Sequence, residues 1–442
     1  MSPDPTPPDA RPPLTDADPH VKPRAYITSE VPPIGGVLKQ RDEDFFVEEI
    51  PLYEPCGEGE HQYLFVEKQG MSTLDLVRLI ASHFGVRREA IGFAGLKDKR
   101  AITRQVISVQ TPGRTPEDFP MLDHPRARVL WADLHTNKLR RGHLLGNRFS
   151  IRARGVEPGR VVHAQRALQI LAREGVPNRF GVQRFGYLRN NHLIGRALVL
   201  GEHRLACDLL LGEHERSPAS QRDARMLYTE GDPGGALDLF PHGYRAEQGV
   251  LRALSRGRSP EQAVRTMDAT VRSFYISSLQ SAVFNNVLDR RLESGTMGRL
   301  LPGDVAFIHA DRSDRLITEA DLDGEEGRDL ASRLGAFELC PSGPMWGARM
   351  TRARGAPGEE EADALRAIGM TPEDFARADR TLGEMLDGAR RPLRVRLKDP
   401  EVEAGVDEHG AYIRCAFELP RGAFATTVMD EVLKGEAARG HV

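Results

Sequence analysis

Residues Gly92–Gln105 read GFAGLKDKRAITRQ. The run Ile91–Ala94 is short and apolar, Gly95 breaks it, and Leu96–Arg100 forms a charged turn before a strand pattern resumes from Gln105 to Val109. This places Asp98 on a connection between two buried strands, a setting where reactive side chains concentrate. Flanked by Lys97, Lys99 and Arg100, the carboxylate is an anion among cations, suited to act as a nucleophile or general base. The same pattern also describes a solvated charged turn.

Upstream, Gly35 to Val66 reads as strands. In GVLKQRDEDFFVEEI, Phe45, Val47 and Glu49 share one parity, while Phe46, Glu48 and Ile50 share the other. GEGEH is a turn and QYLFVEK a second strand. A helix follows, with Ser72 as N-cap, Asp75 in its first turn, Leu76, Ile80 and Phe84 at helical spacing, and Gly85 as its left-handed end. Downstream, eight basic residues (Arg126, Arg128, Lys138, Arg140, Arg141, Arg148, Arg152 and Arg154) face Asp133 alone. That stretch reads as a surface tracking phosphates, or as a polar sheet face. A second helix runs from about Val161 to Glu174, closed by Gly175 and Pro177.

VPNRFGVQRFG (Val176–Gly186) brings Asn178, Arg179, Phe180 and Arg184 together. Asn reads base edges, Arg holds phosphates and Phe stacks, although the segment is also readable as a turn with an exposed Asn. Phe45 and Phe424 lie in aromatic, strand-like segments that suit base stacking or ordinary core packing. After about Leu205 helical periodicity dominates, including FYISSLQSAVFNNVLDRRL, and from Arg391 strand texture returns. The core is thus expected to be built from two separated segments around an insertion.

The chain has 442 residues and a net charge of −3, a length for two or three domains. Its four cysteines are far apart, with no CxxC pair, which excludes a zinc ribbon and points to reduced thiols in the cytoplasm. No apolar stretch approaches the roughly 18 residues of a membrane span. The Pro- and Asp-rich start, residues 1–26, carries no signal-peptide pattern and is expected to be a disordered tail. GxxxxGK[ST], GxGxxG, HExxH and GxSxG are all absent, and His61, His143 and His192 lack metal-ligand spacing.

Taken in order, LKQRDEDFFVEEI, GEGEHQYLFVEKQGMSTLDLV, GFAGLKDKRAITRQ, KLRRGHLLGNRFSIRAR, VPNRFGVQRFG and FELPRGAFATTVMDEVL resemble the TruD family of pseudouridine synthases over about Gly35 to Leu433. The resemblance implies an α+β fold. Its catalytic domain has a mixed, largely antiparallel sheet in two segments, 27–204 and 391–442, around an inserted α/β domain, 205–390. It implies isomerisation of uridine to pseudouridine in RNA, with uridine 13 of tRNA as the target and no cofactor or metal. Asp98 matches the family's catalytic aspartate, by attack on the ribose or by abstraction of a sugar proton. Phe45, Asn178, Phe424 and Phe180 match its substrate-binding positions, and Lys97 would stabilise the aspartate's charge. Lys138, Arg140, Arg141, Arg148 and Arg184 would contact RNA.

The chain departs from the family pattern at Gly422-Ala423, where Gly-Ser is usual, and at Met429-Asp430-Glu431, where Leu-Arg-Glu is usual. The implied protein is a cytoplasmic monomer whose partner is tRNA, with no membrane and no obligatory protein partner. Two alternatives are a non-catalytic RNA-binding or chaperone protein on the same fold, and the same enzyme acting on messenger or ribosomal RNA.

Overall fold

A computed structural model describes residues 25–434. The expected N-terminal tail therefore falls almost entirely outside the described residues. The chain divides into two units: residues 27–176 with 395–434, and the intervening residues 177–394. The first is called the interrupted unit below, the second the inserted unit.

In the interrupted unit the strands are β1 (Phe45–Pro51), β2 (His61–Gln69), β3 (Ile91–Phe93), β4 (Ile102–Gln110), β5 (Ala127–His135) and β6 (Leu144–Arg154). Its helices are α1 (Thr73–Phe84) and α2 (Val161–Glu174), and the chain leaves through β7 (Val176–Pro177). The expected helix signals are in place: the Ser72 side chain accepts from the Asp75 amide, and Gly85 ends α1 at φ 64°. The 35–44 stretch, read as strand, instead makes a single bridge, Val37 to Arg154, before a short 3₁₀ turn at Asp42–Asp44. The Asp44 carboxylate accepts from the Arg41 amide there, a local bond that competes with strand pairing.

The inserted unit is mainly helical: α3 (Asn191–Leu200), α4 (His203–Leu211), α5 (Arg222–Thr229), α6 (Pro233–Leu239), α7 (Arg245–Ser255), α8 (Pro260–Val264), α9 (Ala269–Glu293), α10 (Gly324–Gly335), α11 (Gly355–Arg366) and α12 (Pro372–Leu382). Its strands β8 (Val305–Ile308), β9 (Asp314–Leu316), β10 (Leu339–Met345) and β11 (Ala389–Pro392) form a four-stranded sheet. The chain returns through β12 (Arg394–Val395) into β13 (Lys398–Asp407), β14 (Gly410–Pro420) and α13 (Ala425–Leu433).

The sequence reading places the first boundary at Leu205, whereas the contacts place it at Val176/Pro177. Helix α3 explains the difference. At Gly195 the backbone of Tyr275 in α9 would meet any added Cβ at 2.1 Å, so only glycine lets these two helices approach so closely.

The sheet of the interrupted unit runs β13-β14-β6-β1-β4-β2-β5, with β3 beside β4. Only β1 and β4 pair in parallel; the other neighbours are antiparallel. The parity read for β1 holds, since Phe45, Val47 and Glu49 are all buried. One apolar cluster joins β1, β6 and β14 to α2 and α13, and a second joins β2 and β4 to α1. Strand β13 closes one edge and carries Glu401, Glu403 and Asp407. Such charges discourage edge-to-edge pairing.

Candidate active site

Asp98 lies on the connection between β3 and β4, and its side chain is 47% exposed. Two lysines hold it from different directions. The Lys39 Nζ lies 3.2 Å from Asp98 Oδ2. Lys68, on β2 and 1% exposed, donates to the Asp98 backbone carbonyl at 2.9 Å and to that of Met71 at 2.6 Å. Burial pushes the Lys68 ammonium down to about 8, a fall partly offset by the nearby negative charge of Asp98.

The rest of the loop is fixed by buried polar contacts. Lys97, expected to stabilise Asp98, is instead paired at 2.5 Å with Glu49 of β1, both side chains buried. The other Glu49 oxygen accepts from the Val106 amide at 3.3 Å. The Lys97 amide donates to Thr73 Oγ1, which in turn donates to Gln105. Lys97 therefore anchors the loop, and Lys39, 59 residues from Asp98 in sequence, supplies the cation. The sequence reading missed Lys39 because its partner is distant; its left-handed backbone (φ 54°), uncommon for a side-chain-bearing residue, is a structural signal only.

Phe45 is buried, edge-on to Phe149 at 6.5 Å, with Lys39 Nζ 4.2 Å from its ring centroid. It thus supports Lys39 from below and is not an open stacking face in this structure. Phe424 is 44% exposed at the N-cap position of α13.

Asn178, Phe180 and Arg184 belong to the inserted unit, where Arg184 and Arg391 both lie against the Phe180 ring. Asn178 is buried, not on an exposed turn. Its Nδ2 donates to Pro392 O at 2.9 Å and its amide to Leu393 O at 2.8 Å. Its Oδ1 and carbonyl both accept from Arg391, at 2.5 and 3.2 Å. The Phe180 backbone exchanges two 3.0 Å hydrogen bonds with the Asn285 side chain, and its ring lies 4.2 Å from the Arg391 guanidinium. Burial, and then the charge of Arg184, push Arg391 down to about 10. Arg184 donates to Ser277 and Ser281 on α9, so this expected RNA contact is half-buried against a helix. Beside it Arg179 and Asp289 form a buried ion pair.

The basic stretch also divides. Arg128 pairs with Glu67, Arg148 with Glu401, and Arg152 with Asp407, while buried Arg154 binds both Asp44 and Asp407. The partners come from β2, β13 and the 42–44 turn, so four of the eight basic residues seen in sequence are paired with carboxylates across the sheet. Arg140 and Arg141 remain exposed, and Lys138 donates to the Glu89 carbonyl.

Among the described residues no group of three or more His, Cys, Asp or Glu could hold a metal. Nor is any described helix long and apolar enough to cross a membrane.

A family model for tRNA pseudouridine synthase D (TruD) matches residues 21–432. The tRNA pseudouridine synthase D of Geobacter sulfurreducens is 43% identical over 411 residues, covering 92% of this chain and 96% of its own. That of Thermus thermophilus is 35% identical over 413 residues, covering 93% and 92%. A TruD crystal structure from Methanosarcina mazei superposes with a TM-score of 0.81 at 26% identity, covering 94% of this chain and 97% of its own. The fold and these matches define a pseudouridine synthase, an isomerase. The chain belongs to the tRNA pseudouridine synthase D (TruD) family.

Proposed function

We propose that this protein isomerises uridine to pseudouridine in tRNA, at position 13, with Asp98 as the reacting carboxylate. The observation that carries this reading is the half-exposed Asp98 carboxylate, held at one oxygen by Lys39 and at its backbone by buried Lys68. The relatives' shared name supports pseudouridine formation in tRNA, and the resemblance of GFAGLKDKRAITRQ to the family's motif supports Asp98.

The reaction breaks the N1–C1′ bond, turns the uracil, and forms a C5–C1′ bond. The C5 hydrogen leaves as a proton and N1 gains one, so atoms and electrons balance without a redox or group-donating cofactor. Asp98 acts either by attack on C1′, to be displaced later by C5, or by taking a sugar proton to give a glycal. Lys39 orients the carboxylate and Phe45 holds Lys39 in place. A base inside a stacked helix must first be everted, at a cost of a few kcal/mol, and exposed Phe424 is placed to take up part of that loss by stacking.

The test is mapping of pseudouridine in an unmodified tRNA transcript by carbodiimide-dependent reverse-transcription stops. Wild type should give a stop reporting position 13, and Asp98→Asn none. A stop elsewhere only would overturn the position, and a full-strength stop with Asp98→Asn would overturn the role of Asp98.

A further inference from the structure

Two turns of the interrupted unit carry three exposed arginines. In the turn between β5 and β6, Arg140 and Arg141 are both exposed. In the turn between β14 and α13, Arg421 is also exposed. The two turns are joined: Arg421 Nη1 donates to Gly142 O at 2.6 Å, and the Arg421 amide donates to Leu145 O at 3.1 Å. Among the described residues none of the three arginines is paired with a carboxylate, unlike Arg128, Arg148, Arg152 and Arg154.

The turn between β5 and β6 is bolted to the end of β3, which leads into the Asp98 loop, and to β4, which follows it. The Gly142 amide donates to Ala94 O at 2.8 Å, and the Leu139 amide donates to Ser108 Oγ at 3.0 Å. At Gly92 an added Cβ would meet Leu139 O at 2.2 Å, so the glycine of the GFAG run is what lets the turn dock. Arg141 lies over the Phe93 ring at 5.7 Å. Two exposed apolar side chains flank the cations, Leu145 at 55% and Phe424 at 44%.

We propose that these two turns form a phosphate clamp for the RNA strand next to the target nucleotide, with Arg140, Arg141 and Arg421 as its three cations. This deepens the proposed function and rests on an RNA substrate. Unpaired guanidiniums on a backbone-fixed turn suit phosphate oxygens, because their planar fork is already oriented and carries no carboxylate to displace. Such contacts position RNA without reading its sequence. The attachment through Ala94, four residues before Asp98, makes the clamp part of the same rigid piece as the reacting loop. Arg148 and Arg184, paired or half-buried, are outside it.

The experiment is equilibrium binding of unmodified tRNA transcript by full-length protein across 50–300 mM salt, with kcat measured at saturating RNA. Arg421→Ala and Arg141→Ala should each weaken binding about five- to tenfold near 0.1 M salt and lower the slope of log K against log salt by about 0.7 to 1. Arg421→Lys should restore most of the slope, and Arg173→Ala, an exposed arginine of α2, should change neither. Wild-type affinity and slope in both clamp variants would overturn the proposal. So would equal weakening by Arg173→Ala, or a loss confined to kcat. Binding is read without chemistry, so wild type that binds tRNA in this pattern but forms no pseudouridine would remove the proposed function and leave the clamp standing.

Discussion

The loop around Asp98 and the segment around Asn178 use polar side chains in opposite ways. Asn178 is buried, and its amide nitrogen, side-chain oxygen, backbone N–H and carbonyl all bind Arg391 or the 392–393 backbone. Asp98 is half-exposed, with one carboxylate oxygen on Lys39 and its carbonyl on buried Lys68. A fully occupied polar group is scaffold, because every bond it makes is already to its own chain. A held but incompletely occupied carboxylate keeps lone pairs for another molecule. On the proposed function, Asp98 is the reacting group because its surroundings are satisfied while it is not.

That contrast is broken most sharply by a pair of variants. Asp98→Asn should lower the rate at least about 1,000-fold, equivalent to about 4 kcal/mol of barrier, and leave the thermal midpoint close to wild type. Asp289→Ala should do the reverse by stranding buried Arg179, costing about 3–5 kcal/mol of stability in denaturant unfolding. A large stability loss from the first, or none from the second, breaks the comparison.

Lys39→Met tests the cation on the reactive side. It should lower kcat about 10- to 100-fold, about 1.4–2.8 kcal/mol, while RNA affinity changes much less; single-turnover rates decide this. Asn178→Ala should cost about 1–3 kcal/mol of stability, since it removes the two buried hydrogen bonds of the Asn178 side chain, to Pro392 O and from Arg391. A stability unchanged by that substitution would show the scaffold reading of Asn178 to be wrong.

The last effect concerns pH. Lys68 titrates near 8 in the fold, against 10.5 ordinarily. Between those values the unfolded chain binds more protons than the folded one, so this group makes stability rise with pH. The unfolding free energy of wild type minus that of Lys68→Met should therefore increase from about pH 8 to about pH 10.5 and stay level below pH 7. A flat difference throughout would mean that Lys68 is not held as described.

Local patterns were legible in the sequence. The caps of α1, the buried parity of β1 and the loop position of Asp98 all rest on residues close in the chain. Long-range pairing was not. Lys39 meets Asp98, and Lys97 meets Glu49, only after β1 and β4 are laid side by side. The basic stretch read as one surface because Glu67, Glu401, Asp407 and Asp44 lie in other elements. The buried setting of Asn178 depends on Arg391–Leu393, more than 200 residues downstream. Arg421 went unnoticed as a single cation in an otherwise apolar run, and its meaning comes from the turn it joins.

The central claim, that the Asp98 carboxylate performs the isomerisation, is tested most directly by tritium release from tRNA labelled at uridine C5. Forming the C5–C1′ bond must expel that hydrogen. Wild type should release it stoichiometrically with the target uridine, and Asp98→Asn should bind the tRNA with wild-type affinity and release none above background. Release by Asp98→Asn within tenfold of the wild-type rate would contradict the account.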